Sequence, residues 1–443
     1  MEFNALIFCG QGTSLDPLTT QYGLPKAILP VANKPLIHYV LDWCDQAPFK
    51  SISVISDIKS GQSISECVES YQSSRNKELS VTSPIKILTN DATSTGGAIT
   101  SYFEDTDALE NYLILPCDFI TDLPPQVLIE YYRQNSDEYS GLTVFYNNIF
   151  ENIDSKHFKS NYTLYSKESN GTNVLLDMYS KEFVNMDKFL KIRTQLLWRY
   201  PRTSVSTKLL DSFIFFVSSK LKQESKNIQM NRSITKIKRD LARRSWKHST
   251  TKESLAMFAL PEKSMFVRCN NLLVYMEANR YILKNLARSQ GKPTISKEKN
   301  AATVGNDSLV GENSILGERT SVKKSVIGNN CIIGKKCRIS NCVLLDGIVL
   351  EDEVQLENCI IGKNVKMEMK CKLVNCNVEG SYIVGTNVNL KGETLKNISL
   401  DEMSGSEDAV YESTDEELSG SEDEEYDDVD FSEEEYEDDI FAR

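Results

Sequence analysis

Two short segments of this 443-residue sequence combine residue types that suit phosphate chemistry. Gly10-Gln11-Gly12-Thr13 follows the apolar run Phe3–Cys9. A glycine-rich loop at the end of a strand lets backbone N–H groups approach an anion. Cys117-Asp118 follows a second run, Tyr112–Leu115, which puts a carboxylate at the end of another predicted strand. Other chemistries have few candidates. The three His residues, His38, His157 and His248, lie far apart in sequence, which argues against a His-rich metal site. Eleven Cys without CxxC spacing argue against zinc and against a disulfide scaffold, and point to a reduced intracellular compartment.

The elements that must position these residues alternate. Strands are predicted at Phe3–Cys9, Ser51–Ile55, Ile85–Leu88, Tyr112–Leu115, Leu142–Tyr146 and Phe213–Val217. Helices are predicted at Pro35–Cys44, with Leu36, Tyr39, Val40 and Trp43 on one face, at Leu123–Tyr132 and at Asn271–Leu286. This alternation implies an α/β domain over residues 1–295, a Rossmann-type mixed sheet with helices on both faces. Ligands of such sheets sit outside the carboxyl ends of strands, where both segments fall. Residues 150–250 read as less regular and more polar. Within them Ile234–Lys247 carries Lys236, Lys238, Arg239, Arg243, Arg244 and Lys247, either a basic docking face or a solvated amphipathic helix.

From 310 the pattern changes. Val310, Leu316 and Val322 form a triplet at six-residue spacing, and four more triplets follow, each starting 17 residues after the last. They are Ile327, Ile333, Ile339; Leu344, Leu350, Leu356; Ile361, Met367, Leu373; and Val378, Val384, Leu390. Asn341-Cys342, Asn358-Cys359 and Asn375-Cys376 repeat with the same 17-residue period. This predicts a left-handed hexapeptide β-helix over 305–395, with one inward residue per short strand and the three Cys stacked in its core. Gly311, Gly317, Gly328, Gly334, Gly362 and Gly385 follow inward positions and are expected to supply the positive φ of the corners. The coil contains no His, which removes the general base that β-helical acyltransferases typically use.

The formal charge of −13 is unevenly spread: residues 401–443 hold 21 Asp+Glu and one basic residue, whereas the first 400 hold 49 Lys+Arg against 42 Asp+Glu. The tail, 400–443, is too poor in apolar residues to fold alone and is expected to be disordered. Its roles would be solubility or docking to a basic partner, with Ser404, Ser413, Ser419, Ser421 and Ser432 as acid-directed phosphorylation candidates. No run of about 18 apolar residues predicts a membrane span. The start lacks a basic n-region and its apolar stretch breaks at Gly10, which argues against a signal peptide.

Gly10–Thr19 with Leu24-Pro25-Lys26-Ala27-Ile28-Leu29-Pro30 resembles the amino-terminal signature of sugar-phosphate nucleotidyltransferases, many of which carry a hexapeptide coil. The resemblance covers about residues 1–395. It implies cations on a triphosphate and carboxylates on Mg²⁺. Ser14 stands where that family has Arg, so a permanent charge with five donors is missing. Lys26 matches. Asp118 matches the first metal carboxylate, but Cys117 replaces the usual Gly. Asp211 is a candidate second carboxylate beside Phe213, where Gly is common, and Gly96-Gly97-Ala98 partly resembles the base-binding segment. The resemblance thus implies a degenerate enzyme with a relic nucleotide pocket at Gly10, Gly12, Lys26 and Asp118, no catalytic residue, no metal and no cofactor.

A degenerate nucleotidyltransferase domain followed by a hexapeptide coil is similar to the gamma and epsilon subunits of translation initiation factor 2B, the guanine-nucleotide exchange factor for initiation factor 2. The gamma type, in fungal form, is the nearer. Leu24–Ile37, Leu115–Phe119, Ser206–Leu210, Arg239–Trp246, Ala278-Asn279-Arg280, Leu356–Gly362 and the terminal Asp438–Arg443 carry that resemblance. Epsilon adds a helical exchange domain, whereas this sequence stops at Arg443 after its acidic stretch. The resemblance implies a non-catalytic, cytosolic partner of epsilon, joined with alpha, beta and delta in a two-fold decamer acting on initiation factor 2. No membrane or direct nucleic-acid partner is expected. The competing readings are an active sugar-1-phosphate nucleotidyltransferase and an unrelated scaffold whose tail chaperones a basic partner.

Overall fold

The computed structural model describes residues 3–75, 83–92, 94–104, 111–158, 160–169, 171–217, 232–247, 254–289 and 302–397. The acidic tail and its serines lie outside the described residues, as does His248. Among the described residues no helix is long and apolar enough to cross a membrane.

Among the described residues, twelve strands and eight helices build the sheet region, beside a small ribbon of Pro30–Val31 with Lys34–Pro35. The strands are β1 (Phe3–Cys9), β2 (Ser51–Ser56), β3 (Ile85–Thr89), β4 (Asn111–Pro116), β5 (Phe119–Thr121), β6 (Gly141–Asn147), β7 (Asn161–Lys167), β8 (Asn173–Ser180), β9 (Thr203–Ser206), β10 (Leu209–Val217), β11 (Leu255–Ala259) and β12 (Phe266–Arg268). The helices are α1 (Leu36–Asp45), α2 (Ile58–Ser74), α3 (Thr95–Glu104), α4 (Pro125–Asn135), α5 (Lys181–Asp187), α6 (Thr194–Arg199), α7 (Ile234–Lys247) and α8 (Leu272–Ser289). Ten strands form one sheet in the order β9-β7-β8-β11-β6-β10-β4-β1-β2-β3. β1 pairs parallel with β2 and β4, and β2 with β3. β10 runs antiparallel to β4 and β6, which makes the sheet mixed. β12 pairs antiparallel with β5 in a separate ribbon, Arg268 opposite Phe119.

β1 is buried along nearly its whole length, as a central strand covered on both faces must be. The β1–β4 register pairs Phe8 with Pro116, so the Gly10 loop and Cys117-Asp118 leave the sheet side by side. α1 is buried on two sides rather than one. Ile37, Val40, Leu41, Trp43 and Cys44 join the core under the sheet, whereas Leu36 and Tyr39 pack into a second cluster towards the coil. The polar stretch after 150 is more regular than its composition suggests, because β7, β8 and β9 extend the sheet as antiparallel strands.

The 17-residue period becomes three parallel sheets of six, six and five short strands. Pairs such as Val310↔Ile327 and Leu356↔Leu373 shift by one full coil. All fifteen predicted inward residues belong to one cluster, with Val310, Leu316 and Leu390 only partly buried at its ends. A second inward residue lies two positions before many of them. Cys331, Cys337, Cys342, Cys359, Cys371 and Cys376 occupy that place together with Ile348, Val354 and Val365. These six thiols are free and buried, as small apolar side chains.

The corner glycines play a different part from the one expected. None of the six has positive φ. The left-handed residue falls two or three positions beyond each inward residue, at Asn313, Arg319, Lys324, Asn330, Lys336, Asn341, Gly347, Glu353, Asn358, Asn364, Lys370, Asn375, Ser381, Asn387 and Gly392. Asn is the residue that best tolerates this conformation after Gly. Gly311, Gly317, Gly328, Gly334 and Gly362 are small because the next coil lies against them; a Cβ on Gly311 would stand 2.5 Å from the Gly328 carbonyl carbon. Gly385, on the last coil, has nothing within 4 Å.

The coil and the sheet region share a core. Val343, Leu345 and Ile360 of the coil pack with Leu15, Leu18, Leu29, Val31, Ile120 and Tyr275. Asn33 Nδ2 donates to the Ile327 carbonyl at 2.8 Å, and Arg280 reaches the Asn341 carbonyl and the Asn358 side chain. Residues through Asn397 form one compact unit.

Candidate functional site

Gly12, Lys26 and Asp118 meet at the carboxyl ends of β1 and β4. Gly12 has φ +79°, and a Cβ there would stand 2.8 Å from Lys26 Cβ, so only glycine lets the loop lie on the lysine stem. Thr19 Oγ1 donates to the Gly12 carbonyl at 2.8 Å and closes the loop. Gly10 has open space around its Cα. Ser14 is exposed on the same loop.

Asp118 is fully buried. Lys26 Nζ contacts its Oδ2 at 2.5 Å. Arg268 donates through Nε to Oδ1 at 3.1 Å and through Nη2 to Oδ2 at 3.2 Å. Burial alone would raise the carboxyl's pKa, but Arg268 and then Lys26 outweigh it and hold it well below the usual carboxylate range. The charged form is therefore a structural ion triad.

Asp211 has the same fate on β10. Its Oδ2 takes the ammonium of Lys238, which is itself fully buried, and its Oδ1 accepts the Phe213 N–H at 2.9 Å. Burial pushes the Lys238 pKa down while Asp211 pulls it up. Between the two ion pairs lies the Phe213 ring, with the Arg268 guanidinium 5.1 Å and Lys238 Nζ 5.6 Å from its centroid. Phe213 takes φ +66° where β10 shifts register between Asp211 and Phe215. That backbone explains why glycine suits this place; here a phenyl ring stacked by two cations offsets the strain.

In this arrangement the carboxylates are engaged by cations of the chain itself. Both oxygens of Asp118 and of Asp211 already accept from protein donors, so a divalent cation would have to compete with Lys26 and Arg268 for the first and with Lys238 for the second. Among the described residues no group of three or more His, Cys, Asp or Glu could hold a metal ion.

Sequence reasoning missed Arg268 and the inward use of α7. Arg268 lies 150 residues from Asp118, on a three-residue strand with no local signature. α7 is neither a docking face nor solvated, since every residue from Ile234 to Trp246 is buried or half-buried. Lys238 turns to Asp211, and Arg243 Nε bonds both oxygens of buried Asp177 at 3.0 and 3.1 Å. The alternation of basic and apolar residues in α7 carried that signal, because a basic residue on the apolar stripe needs a buried acid.

Residues 5–151 match the Nucleotidyl transferase family, covering β1 to the end of β6. Residues 292–394 match the family described as EIF2B subunit epsilon LbH domain, which covers the coil. The translation initiation factor eIF2B subunit gamma of Schizosaccharomyces pombe is 30% identical over 357 residues, 73% of this chain and 73% of that protein. The chain belongs to the eIF2B gamma-subunit family. For this member of the family the nucleotidyltransferase frame and the left-handed β-helix are both present, and the two carboxylates that could have served a metal are held in ion pairs.

Proposed function

We propose that the chain is a non-catalytic, cytosolic subunit of initiation factor 2B. It pairs with the epsilon subunit, joins alpha, beta and delta in a two-fold decamer, and supports GDP/GTP exchange on initiation factor 2. Family membership supports the subunit role. The observation that carries the non-catalytic part is Asp118, whose two oxygens are already compensated by Lys26 and Arg268. Exchange needs no bond chemistry from this chain; a subunit acts by shifting its partner's populations.

The chain would divide into a nucleotidyltransferase-like module at 1–295, the coil at 305–395 and the acidic tail at 400–443. Gly10, Gly12, Lys26 and Asp118 would be the remnant of a nucleotide pocket. A triphosphate would have to compete with Asp118 for Lys26, so binding is expected to be weak. Equilibrium dialysis with labelled GTP tests this. A submillimolar Kd that Lys26→Ala leaves unchanged would remove these residues from the pocket.

The epsilon contact would use both folded modules, and the coil supplies a surface that supports this. One of its three faces packs on the sheet region. On another, the outward row Ile315, Ile332, Val349, Lys366 and Ile383 is mostly aliphatic, and Ile315, Ile332 and Ile383 are 64%, 52% and 65% exposed. Such a row is what a partner surface covers. Ile315→Glu with Ile332→Glu should leave thermal unfolding of the isolated chain unchanged and reduce co-purification of epsilon. Native mass spectrometry of the tagged chain from its own cells is the decisive test. A complex with four other subunit types is expected. A homo-oligomer that turns over GTP with a sugar 1-phosphate, abolished by Asp118→Ala, would overturn the proposal in favour of the enzyme.

A further inference from the structure

We propose that the outer edge of β9 is a docking site for an extended, acidic segment of a partner protein that carries apolar side chains at alternate positions. β9 ends the ten-stranded sheet and pairs only with β7, Thr203 opposite Ser166 through Ser206 opposite Thr163. Its other edge faces no strand among the described residues. Edge strands are normally blunted by brevity, charge or proline, and β9 is short and follows Pro201-Arg202. Within Thr203-Ser204-Val205-Ser206 itself there is no charge or proline, and Val205 is 46% exposed.

The segment that leads into this strand is built rather than loose. α6 is anchored by Leu196, which is fully buried in the main core, and this holds Leu197 and Trp198 outward at 43% and 80% exposure. Tyr200 N–H donates to the Leu196 carbonyl at 2.8 Å, and Thr203 Oγ1 donates to the Tyr200 carbonyl at 2.6 Å, which fixes the turn from α6 into β9. The charge of the stretch chooses the occupant. Lys181 to Lys208 contains seven Lys+Arg against two Asp+Glu, and Arg202 and Lys208, on either side of the strand, are exposed. The three features together describe strand addition: backbone groups that need a ladder, apolar contacts for alternate side chains, and basic flanks for acidic neighbours. RNA would use the aromatic and the charge but not the strand edge or the aliphatic Leu197 and Val205, so a peptide fits better. The site does not depend on the epsilon contact.

The test uses the full chain and a fluorescein-labelled, end-blocked peptide of alternating Glu and Val. Trp43 and Trp246 are 3% and 5% exposed, so acrylamide quenching reads Trp198. Saturable anisotropy change, protection of Trp198, and weakening as salt rises are expected. Trp198→Ala should weaken binding about tenfold, as an exposed aromatic anchor does. The double reversal Arg202→Glu with Lys208→Glu should weaken it as well, without lowering thermal stability. Equal binding of a Lys-Val peptide, no binding, or binding indifferent to these substitutions would overturn the site. Protection of Trp198 by oligouridylate or by phosphatidylserine vesicles but not by the peptide would assign the surface to another ligand and overturn it too.

Discussion

Lys26 and Arg268 both terminate on Asp118, so removing either strips hydrogen bonds from a buried carboxylate and leaves one cation to balance its charge. Breaking one side of a buried pair typically costs about 3–5 kcal/mol. Arg268→Ala should reach that range in urea unfolding. Lys26→Ala should cost less, because the guanidinium remains with two hydrogen bonds. The pH dependence has a definite sign. The folded pKa of Asp118 lies below its unfolded value of about 3.9, so the triad stabilises above that pH and the gain is lost as pH falls through the folded value. Asp118→Asn should therefore be less stable at neutral pH and decline less steeply below about pH 4 than the parent. Phe213 offers a second comparison. Phe213→Ala keeps the left-handed backbone and loses the ring, whereas Phe213→Gly loses the ring and relieves the backbone. The Gly variant should be the more stable by about 1 kcal/mol; the reverse order would mean that the backbone at 213 is unstrained.

In the coil, the same residue type separates into two classes by position. A Cβ at Gly328 would stand 2.6 Å from the Leu345 carbonyl carbon, so Gly328→Ala must push two coils apart. At Gly385 nothing lies within 4 Å, and alanine there should be neutral to within about 0.5 kcal/mol. Thermal unfolding of the two variants measures the difference, and equal effects would refute the close-approach account. Ile333→Asp places a charge on a residue that is 2% exposed in the axial core and should break the stack and markedly lower the unfolding temperature of the chain. At this scale much was legible in advance. The 17-residue period yields the inward ladder because each coil repeats one geometry. The corner glycines were misassigned because a φ angle and a close contact with the next coil both demand glycine, and only the stacked coils distinguish them.

For the whole molecule, the shared cluster of Val343, Leu345 and Ile360 with Leu15, Leu18 and Tyr275 makes the coil part of the sheet region's core. Ile360→Glu should lower the unfolding temperature of both regions together. Two well-separated calorimetric transitions in the parent chain would contradict a shared core. Outward Ile332→Glu serves as the matched control, since Ile332 is 52% exposed and touches no such cluster.

The sequence by itself determined what is periodic or contiguous. Alternating apolar runs set the α/β class, six-residue spacing set the coil, and the Gly10–Pro30 segment set the place of the loop and Lys26. It also placed Asp118 at a strand end, because a strand and the residues after it are adjacent in both chain and space. Tertiary structure alone decided what Asp118 does. Arg268 and Lys238 arrive from distant elements, and burial in a low-dielectric interior turns their nearness into ion pairs. A carboxylate that reads in sequence as a metal ligand becomes the centre of an ion triad once two cations are folded against it.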